Sequence, residues 1–264
     1  MLPRSRSGHA LVLVLALATL GLTAPVHARS APDRAKDPRR VRALFVDPSM
    51  SAVQQGGVYR QRIGSKAQAM WVTPHYPTSS VGSAVRGYTR RAAQARRTPT
   101  LVVYGIPGRD CAGESSGGLA GAAAYRTWVA QIARGLRGQR ALVIVEPDAV
   151  PLFGTPGTTC PTRPAGWQRM LRYATRTLSR SGAWVYLDAG HSGWTPYADR
   201  AAQLERSGIA YARGFSTNVS NFRSTAAEKR YAGRGVNRNA SAAAICGVSC
   251  RSGVMSSRIQ KPRP

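Results

Sequence analysis

Acidic residues are scarce in this sequence. It has 11 Asp and Glu against 38 Lys and Arg, which gives a formal net charge of +27. Lysine is also rare, so nearly all of the positive charge is arginine. The arginines are scattered, and neither a basic stripe interleaved with aromatics nor a known nucleic-acid-binding module accompanies them. We therefore expect no specific nucleic-acid partner, and the alternative, a binder of anionic polymers, depends on net charge alone.

Histidine and cysteine are too few for several common sites. No Gly-x-Ser-x-Gly elbow joins a strand directly to a helix, and only His75 and His191 follow the N-terminal leader, which argues against a serine hydrolase. Neither a Walker loop nor a Gly-x-Gly-x-x-Gly phosphate loop is present. The only close cysteine pair, Cys246 and Cys250, has no nearby histidine to complete a zinc site. We expect no metal centre.

The N-terminus has the pattern of an export signal. Arg4 and Arg6 precede an apolar run from 10 to 22, and Val26-His27-Ala28 offers small residues for cleavage after Ala28. A membrane anchor is the alternative, but the run is shorter than the roughly 18 apolar residues that a span needs. We expect residues 1–28 to be a signal peptide, 29–40 a polar linker, and the mature protein to be secreted, monomeric and free of the membrane. In an exported chain, the cysteines favour a disulfide between Cys111 and Cys160, with a free buried thiol as the alternative.

Short apolar runs alternate with helix-sized segments from Val41 onward. This alternation predicts an α/β fold with a parallel sheet, either open or closed into a barrel. The predicted strands are Ala43–Val46, Ala69–Val72, Thr100–Tyr104, Ala141–Val145, Ala183–Leu187 and Ala212–Ser216. The predicted helices are Ser83–Arg97, Ala120–Leu136, Gly166–Ser181 and Tyr197–Ser207.

Four of the few carboxylates follow the ends of predicted strands. They are Asp47, Asp110, Asp148 and Asp188. Ligand sites of parallel α/β folds lie beyond these carboxyl ends, so the four are expected to converge, although Asp47 and Asp188 are equally well explained as helix caps or partners of arginine. Paired carboxylates can be separated in pKa, so that one stays protonated as an acid, as cleavage of a glycosidic bond requires. Trp71, Tyr104 and Trp194 lie near strand ends and could offer flat surfaces to sugar rings.

Four segments of the sequence resemble glycoside hydrolase family 6, whose members cleave β-1,4-glucans such as cellulose. The segments are Val103-Tyr104-Gly105-Ile106-Pro107-Gly108-Arg109-Asp110-Cys111 with Ser115-Ser116-Gly117-Gly118, Val143-Ile144-Val145-Glu146-Pro147-Asp148, Tyr186-Leu187-Asp188-Ala189-Gly190-His191-Ser192-Gly193-Trp194, and Thr217-Asn218-Val219-Ser220-Asn221-Phe222. They occur in family order between Val41 and Tyr231. The resemblance implies a distorted parallel β/α barrel and an inverting β-1,4-glucanase without metal or organic cofactor, whose partner is cellulose or a cello-oligosaccharide.

The resemblance also implies roles for individual residues. Asp148 matches the general acid, and Asp110 matches the carboxylate that tunes it and joins a water chain to the attacking water. The matches to sugar- or water-contacting positions are Tyr104, Ser116, His191, Trp194 and Asn221. Asp188 and Arg109 are expected to support the site, and Cys111 and Cys160 match the family disulfide.

The family pattern stops after Tyr231. Residues 232–264 contain no acidic and no aromatic residue. We therefore expect residues 41–231 to be a partial catalytic domain, incomplete at its C-terminal end through truncation or a frame shift, and 232–264 to be an unrelated, disordered tail. A barrel without its closing strands would expose an unpaired edge. The alternative function is thus a catalytically impaired remnant that at most binds β-glucan.

Overall fold

The computed structural model describes residues 42–155, 157–196 and 198–236, with the side chains of 234–236 excepted. Five parallel strands form one sheet in the order β1-β2-β3-β4-β5. The strands are β1 (Met70–Val72), β2 (Thr100–Val103), β3 (Leu142–Val145), β4 (Trp184–Asp188) and β5 (Gly214–Ser216). The α/β class with a parallel sheet is confirmed. The predicted signal peptide, linker and residues 237–264 of the predicted tail lie outside the described residues.

Helices connect the strands. They are α1 (Ser51–Gln54), α2 (Gly57–Tyr59), α3 (Val81–Gln94), α4 (Ala122–Leu136), α5 (Ala149–Gly154), α6 (Trp167–Arg180), α7 (Arg200–Arg206) and α8 (Thr225–Arg230). Short 3-10 turns occupy Asp110–Ala112 and Ile209–Tyr211, and π-helical turns follow α2 and α8 at Arg60–Gly64 and Tyr231–Val236. None of these described helices combines the length and apolar character that a membrane span requires.

Successive side chains of each strand point to opposite faces of the sheet, so each strand contributes to the apolar core on both faces. Val103, Val145 and Leu187 face the outer core, where α3, α4 and α6 cover the sheet. Val102 and Ile144 face the other side, together with the smaller cluster of Leu142, Trp184 and Tyr186. Burial on both faces explains why β2, β3 and β4 are apolar almost throughout.

The predicted strand at Ala43–Val46 is wrong in extent. The structure has only an isolated parallel bridge between Leu44 and Thr98, with hydrogen bonds of 2.9 Å from the Phe45 N–H to the Thr98 carbonyl and from the Thr98 N–H to the Ala43 carbonyl. From Leu101 onward, β1 occupies the same edge of β2. The first segment therefore cannot extend its pairing along β2.

The polar segments that follow β2, β3 and β4 meet at the carboxyl edge of the sheet. The segment after β2 is placed by a close approach of the chain to α4. The approach is visible at Gly105, where an added Cβ would lie 2.8 Å from Cζ3 of the buried Trp128 ring. Only glycine allows the indole to pack directly under the chain that leaves β2.

We expect Gly105→Ala to lower the free energy of unfolding by roughly 1–3 kcal/mol, as overpacking of a dense core does. Urea denaturation would measure the loss. Gly121→Ala is the matched control, since a Cβ there meets nothing within 4 Å. Equal denaturation midpoints for the two variants would contradict the close packing of Trp128 against Gly105.

Candidate active site

Asp148 lies directly beyond β3 in an unusual backbone conformation. Its φ is 68° and that of Glu146 is 47°, values in the left-handed region that few side-chain-bearing residues adopt. Each such residue costs about 1–3 kcal/mol, and the conformation persists only where neighbouring contacts hold it. The contact at Asp148 is a hydrogen bond of 2.9 Å from its backbone N–H to Oδ1 of Asp188. The neighbouring strand thus holds the turn that presents Asp148.

Asp188 is a fully buried carboxylate at the end of β4. Its Oδ1 accepts the N–H groups of Asp148 and Gly190, and its Oδ2 accepts the Ser216 hydroxyl at 2.9 Å. Burial raises the pKa of Asp188 to about 7, although these hydrogen bonds and the charge of Arg200 oppose the rise. Asp188 therefore connects the ends of β3, β4 and β5.

The carboxyl group of Asp148 favours its protonated form. Burial raises its pKa well above the usual value for aspartate, and the negative charges of Asp188 and Asp110 raise it further. Its Oδ1 is buried and has no hydrogen-bond partner among the described residues. A protonated carboxyl whose oxygen has no such partner can donate a proton to a bound molecule.

Asp110 lies on the loop that follows β2. Asp110, Cys111 and Ala112 have consecutive positive φ angles of 59°, 46° and 72°. The loop is fixed by a disulfide between Cys111 and Cys160 and by a hydrogen bond of 2.6 Å from the Ser115 N–H to Oδ2 of Asp110. The predicted disulfide is confirmed. Ser116, next along the loop, is exposed.

Arg109 connects this loop to the end of β2. Its Nη1 donates to the Tyr104 carbonyl at 2.7 Å, and its Nε donates to the Ser115 carbonyl at 2.8 Å. The guanidinium also lies 4.7 Å from the centre of the Tyr104 ring. A single planar side chain thus fixes both the tyrosine and the loop that carries Ser116.

Tyr104 is almost buried and packs edge-to-face on Trp71, with ring centres 5.5 Å apart. Burial raises the pKa of its hydroxyl, and the negative charges of Asp110 and Asp148 add to the rise. The hydroxyl therefore keeps its proton and can donate a hydrogen bond.

His191 and Trp194 follow β4, and Asn221 follows β5. The two rings lie 5.1 Å apart, and His191 Nδ1 accepts the Gly193 N–H at 3.1 Å, which leaves Nε2 as the protonated nitrogen. Burial lowers the pKa of His191, and the positive charge of Arg223 lowers it further, so the ring is neutral. Asn221 is half-buried, and its amide donates to the Val219 carbonyl at 3.0 Å.

Comparison with known proteins identifies the family. The family model described as "Glycosyl hydrolases family 6" matches residues 41–244. The chain belongs to this family. The predicted family is therefore confirmed, and the match extends 13 residues beyond the boundary that we predict at Tyr231.

Several members of family 6 resemble the chain in sequence or structure. It is 36% identical over 244 residues to "Endoglucanase A" of Thermobispora bispora, covering 86% of this chain and 52% of that protein. It is 36% identical over 201 residues to "Endoglucanase A" of Cellulomonas fimi, covering 74% of this chain and 43% of that protein. The chain thus spans about half the length of these curated relatives.

Solved structures of the family share the fold. The endoglucanase Cel6 of Mycobacterium tuberculosis, solved with methyl-cellobiosyl-4-deoxy-4-thio-β-D-cellobioside, has a TM-score of 0.68 and 36% identity, covering 74% of this chain and 68% of that one. "Endoglucanase CEL6B" of Humicola insolens has a TM-score of 0.60 and 28% identity, covering 74% of this chain and 71% of that one.

The structure brings most of the predicted site residues of this family 6 protein to one edge of the sheet. Asp148, Asp110, Asp188, Tyr104 and Arg109 are connected through hydrogen bonds, ring contacts or electrostatic interactions. Asp47 lies apart from this group, because it accepts a hydrogen bond of 2.7 Å from Arg91 on α3. Its interpretation as a partner of arginine is confirmed. No group of metal-ligating side chains occurs in the part of the chain that the structure describes.

Sequence reasoning missed the structural importance of Glu146. Its fully buried carboxylate accepts the N–H groups of Gly105 and Ile106 and the Tyr125 hydroxyl, and thereby holds the turn after β2. Burial raises the pKa of Glu146 to about 7 against these hydrogen bonds. The sequence signal for this role is the position of Glu146 between an apolar strand and Pro147.

The raised pKa of Asp188 predicts a pH-dependent stability. The folded state binds the proton more tightly than an unfolded aspartate of pKa 3.8, so this contribution is present below about pH 4 and is lost as the pH rises through about 7. Asp188→Asn keeps an acceptor for the two N–H groups but cannot lose a proton. We expect the variant to gain stability relative to the parent as the pH rises from 4 to 8, measured by chemical denaturation.

Asp47→Asn is the control of opposite sign. Burial alone would raise the pKa of Asp47, but the hydrogen bonds from Arg91 and Ser49 hold it below its usual value. Its contribution is therefore lost as the pH falls. If the difference between Asp188→Asn and the parent does not change with pH, Asp188 is not the buried proton-binding group described above.

Proposed function

We propose that this protein hydrolyses the β-1,4-glucosidic bonds of cellulose and cello-oligosaccharides with inversion, and that Asp148 is the general acid. The observation that carries the proposal is the place of the Asp148 carboxyl at the carboxyl edge of the sheet, next to Asp188 and with a buried Oδ1 that has no hydrogen-bond partner among the described residues. The raised pKa of this carboxyl agrees with the role. The names of the family 6 relatives, endoglucanases, and the cellobioside derivative in the Mycobacterium tuberculosis structure support β-1,4-glucan as the substrate class.

In the proposed reaction, Asp148 gives its proton to the glycosidic oxygen. The bond from the anomeric carbon to that oxygen breaks, and its electron pair stays with the leaving sugar. A water molecule attacks the anomeric carbon from the opposite face, and its proton passes through a second water towards Asp110. Inverting enzymes in general keep their two carboxyl groups about 6.5–9.5 Å apart, because the attacking water must fit beside the sugar.

The other site residues bind and orient the sugar. The protonated Tyr104 hydroxyl donates to the sugar at the cleavage point, and Ser116 on the exposed loop holds the attacking water. The Trp194 ring offers a flat surface to a sugar ring, while His191 and Asn221 contact its hydroxyl groups. Asp188 and Arg109 act from behind the cleft by fixing Asp148 and Tyr104.

The proposal places the protein outside the cell as a monomer. Insoluble cellulose cannot be taken up, so an enzyme that attacks it must be exported. The disulfide between Cys111 and Cys160 supports an oxidising compartment, since such bonds are rare in the cytosol.

We expect Asp148→Asn to slow the release of sugar from cellotetraose by roughly 10²–10⁴-fold, the usual contribution of a general acid. The same variant should cleave 2,4-dinitrophenyl β-cellobioside almost as fast as the parent, because dinitrophenolate leaves without protonation. NMR of the initial product should show the α-anomer. The pH profile of the parent should fall on the alkaline side as Asp148 loses its proton.

Asp199→Asn is the matched control, because Asp199 is exposed and its side chain does not cap α7. This variant should match the parent on both substrates. Equal losses on cellotetraose and the dinitrophenyl substrate would refute Asp148 as the acid. Binding of cellotetraose by the parent without any release of sugar would favour the alternative, a glucan-binding remnant.

A further inference from the structure

The loop that carries His191 and Trp194 is fixed largely from one neighbouring segment. We define the sugar loop as residues 189–194. The Asn218 N–H donates to the Gly190 carbonyl at 2.9 Å, and the Arg223 guanidinium lies close to Gly193. Two further contacts come from α8 and the turn after it. The sugar loop therefore depends on a segment beyond β5 that contains none of the proposed catalytic carboxylates.

Glu228 on α8 makes the first of these contacts. Its side chain is fully buried, and Oε1 accepts the Ser192 N–H at 2.9 Å. Oε2 is buried and has no hydrogen-bond partner among the described residues. Burial of a carboxyl group with a single hydrogen bond is unfavourable. The hydrogen bond that Glu228 does make goes to the backbone of the sugar loop.

Tyr231, one turn after Glu228, makes the second contact. Its hydroxyl donates to the Ala189 carbonyl at 2.6 Å and accepts a hydrogen bond of 3.1 Å from Arg200 Nε. Arg200 is itself fully buried, and its Nη2 reaches the Trp194 carbonyl at 3.5 Å. The two ends of the sugar loop, Ala189 and Trp194, are thereby connected through one tyrosine and one arginine.

We infer that Glu228 and Tyr231 are positioning residues for sugar binding. They act through the backbone of the sugar loop and set the place of His191 and Trp194 without touching the substrate. The inference rests on the proposed function, because it assigns these two residues to the binding of the same glucan. It adds that the segment Thr225–Tyr231 determines affinity, while Asp148 and Asp188 determine the protonation state of the acid.

The test compares Glu228→Ala and Tyr231→Phe with two controls. Glu228→Gln keeps an oxygen that can accept the Ser192 N–H. Tyr88→Phe removes another buried tyrosine hydroxyl, which donates to the Thr100 carbonyl. Thr100 is at the start of β2, and thus at the end of the strand opposite to the proposed site. Tyr88→Phe thus matches Tyr231→Phe in the loss of a buried hydroxyl that donates to a backbone carbonyl, and differs in its place. Tyr231→Phe also removes the acceptor of the Arg200 hydrogen bond.

Two measurements apply to the full chain whether or not it turns over substrate. Amide hydrogen exchange of residues 189–194 reports on the sugar loop, and calorimetry with a thio-linked cello-oligosaccharide, which is not hydrolysed, gives the Kd. We expect Glu228→Ala and Tyr231→Phe to speed the exchange and to raise the Kd roughly tenfold, because each loses a buried hydrogen bond to the backbone of the sugar loop. In hydrolysis the loss should appear in KM, with the alkaline limb of the pH profile unchanged.

Glu228→Gln should behave like the parent, and Tyr88→Phe should lower the Tm without changing the exchange of the sugar loop or the Kd. Unchanged exchange at 189–194 in Glu228→Ala and Tyr231→Phe would overturn the inference. An equal rise of the Kd in Tyr88→Phe would overturn it as well, because the effect would then be one of general stability. Absence of hydrolysis by the unaltered chain would count against the proposed function only.

Discussion

The hydrogen bond from the Asp148 backbone N–H to the Asp188 carboxylate connects the two strands on which the site depends. It holds Asp148 in its left-handed conformation, and the charge that accepts it also helps to keep the Asp148 carboxyl protonated. One buried carboxylate therefore supplies both geometry and electrostatics. Ser216 and Gly190 complete its hydrogen bonds, so the ends of β3, β4 and β5 form one connected unit. A parallel sheet is what allows these three strand ends to meet.

Buried carboxylates have a common use in this very basic protein. Glu146 holds the turn after β2, Asp188 holds the turn after β3, and Glu228 holds the loop after β4. Each accepts backbone N–H groups that lie outside regular secondary structure, and such groups must be paired when they are buried. These three acidic residues are thus placed where irregular backbone carries the functional side chains. Two buried or half-buried arginines, Arg109 and Arg200, bind carbonyl groups.

The parts of this arrangement that are local in sequence could be predicted from it. Apolar runs predicted the strands of the sheet, and polar residues after each run predicted the edge at which Asp110 and Asp148 lie. Pairing depends on distant partners, so Ala43–Val46 was expected as a full strand although β1 takes its place along β2. Nothing in the pattern distinguishes the buried Arg200 from the many exposed arginines, or Glu228 from a solvated helix residue. Their roles follow from burial and from hydrogen bonds that join residues about 30 to 40 positions apart.

The central claim is that burial and the neighbouring carboxylates hold Asp148 protonated in the folded protein. The direct measurement is the titration of this single carboxyl, obtained as the infrared difference between the parent and Asp148→Asn over pH 3 to 9. The account predicts that the carboxylate band of Asp148 appears only well above the usual range for aspartate, and that Asp188→Asn shifts it to lower pH. A carboxylate that is fully formed near pH 4 in the parent would contradict the account.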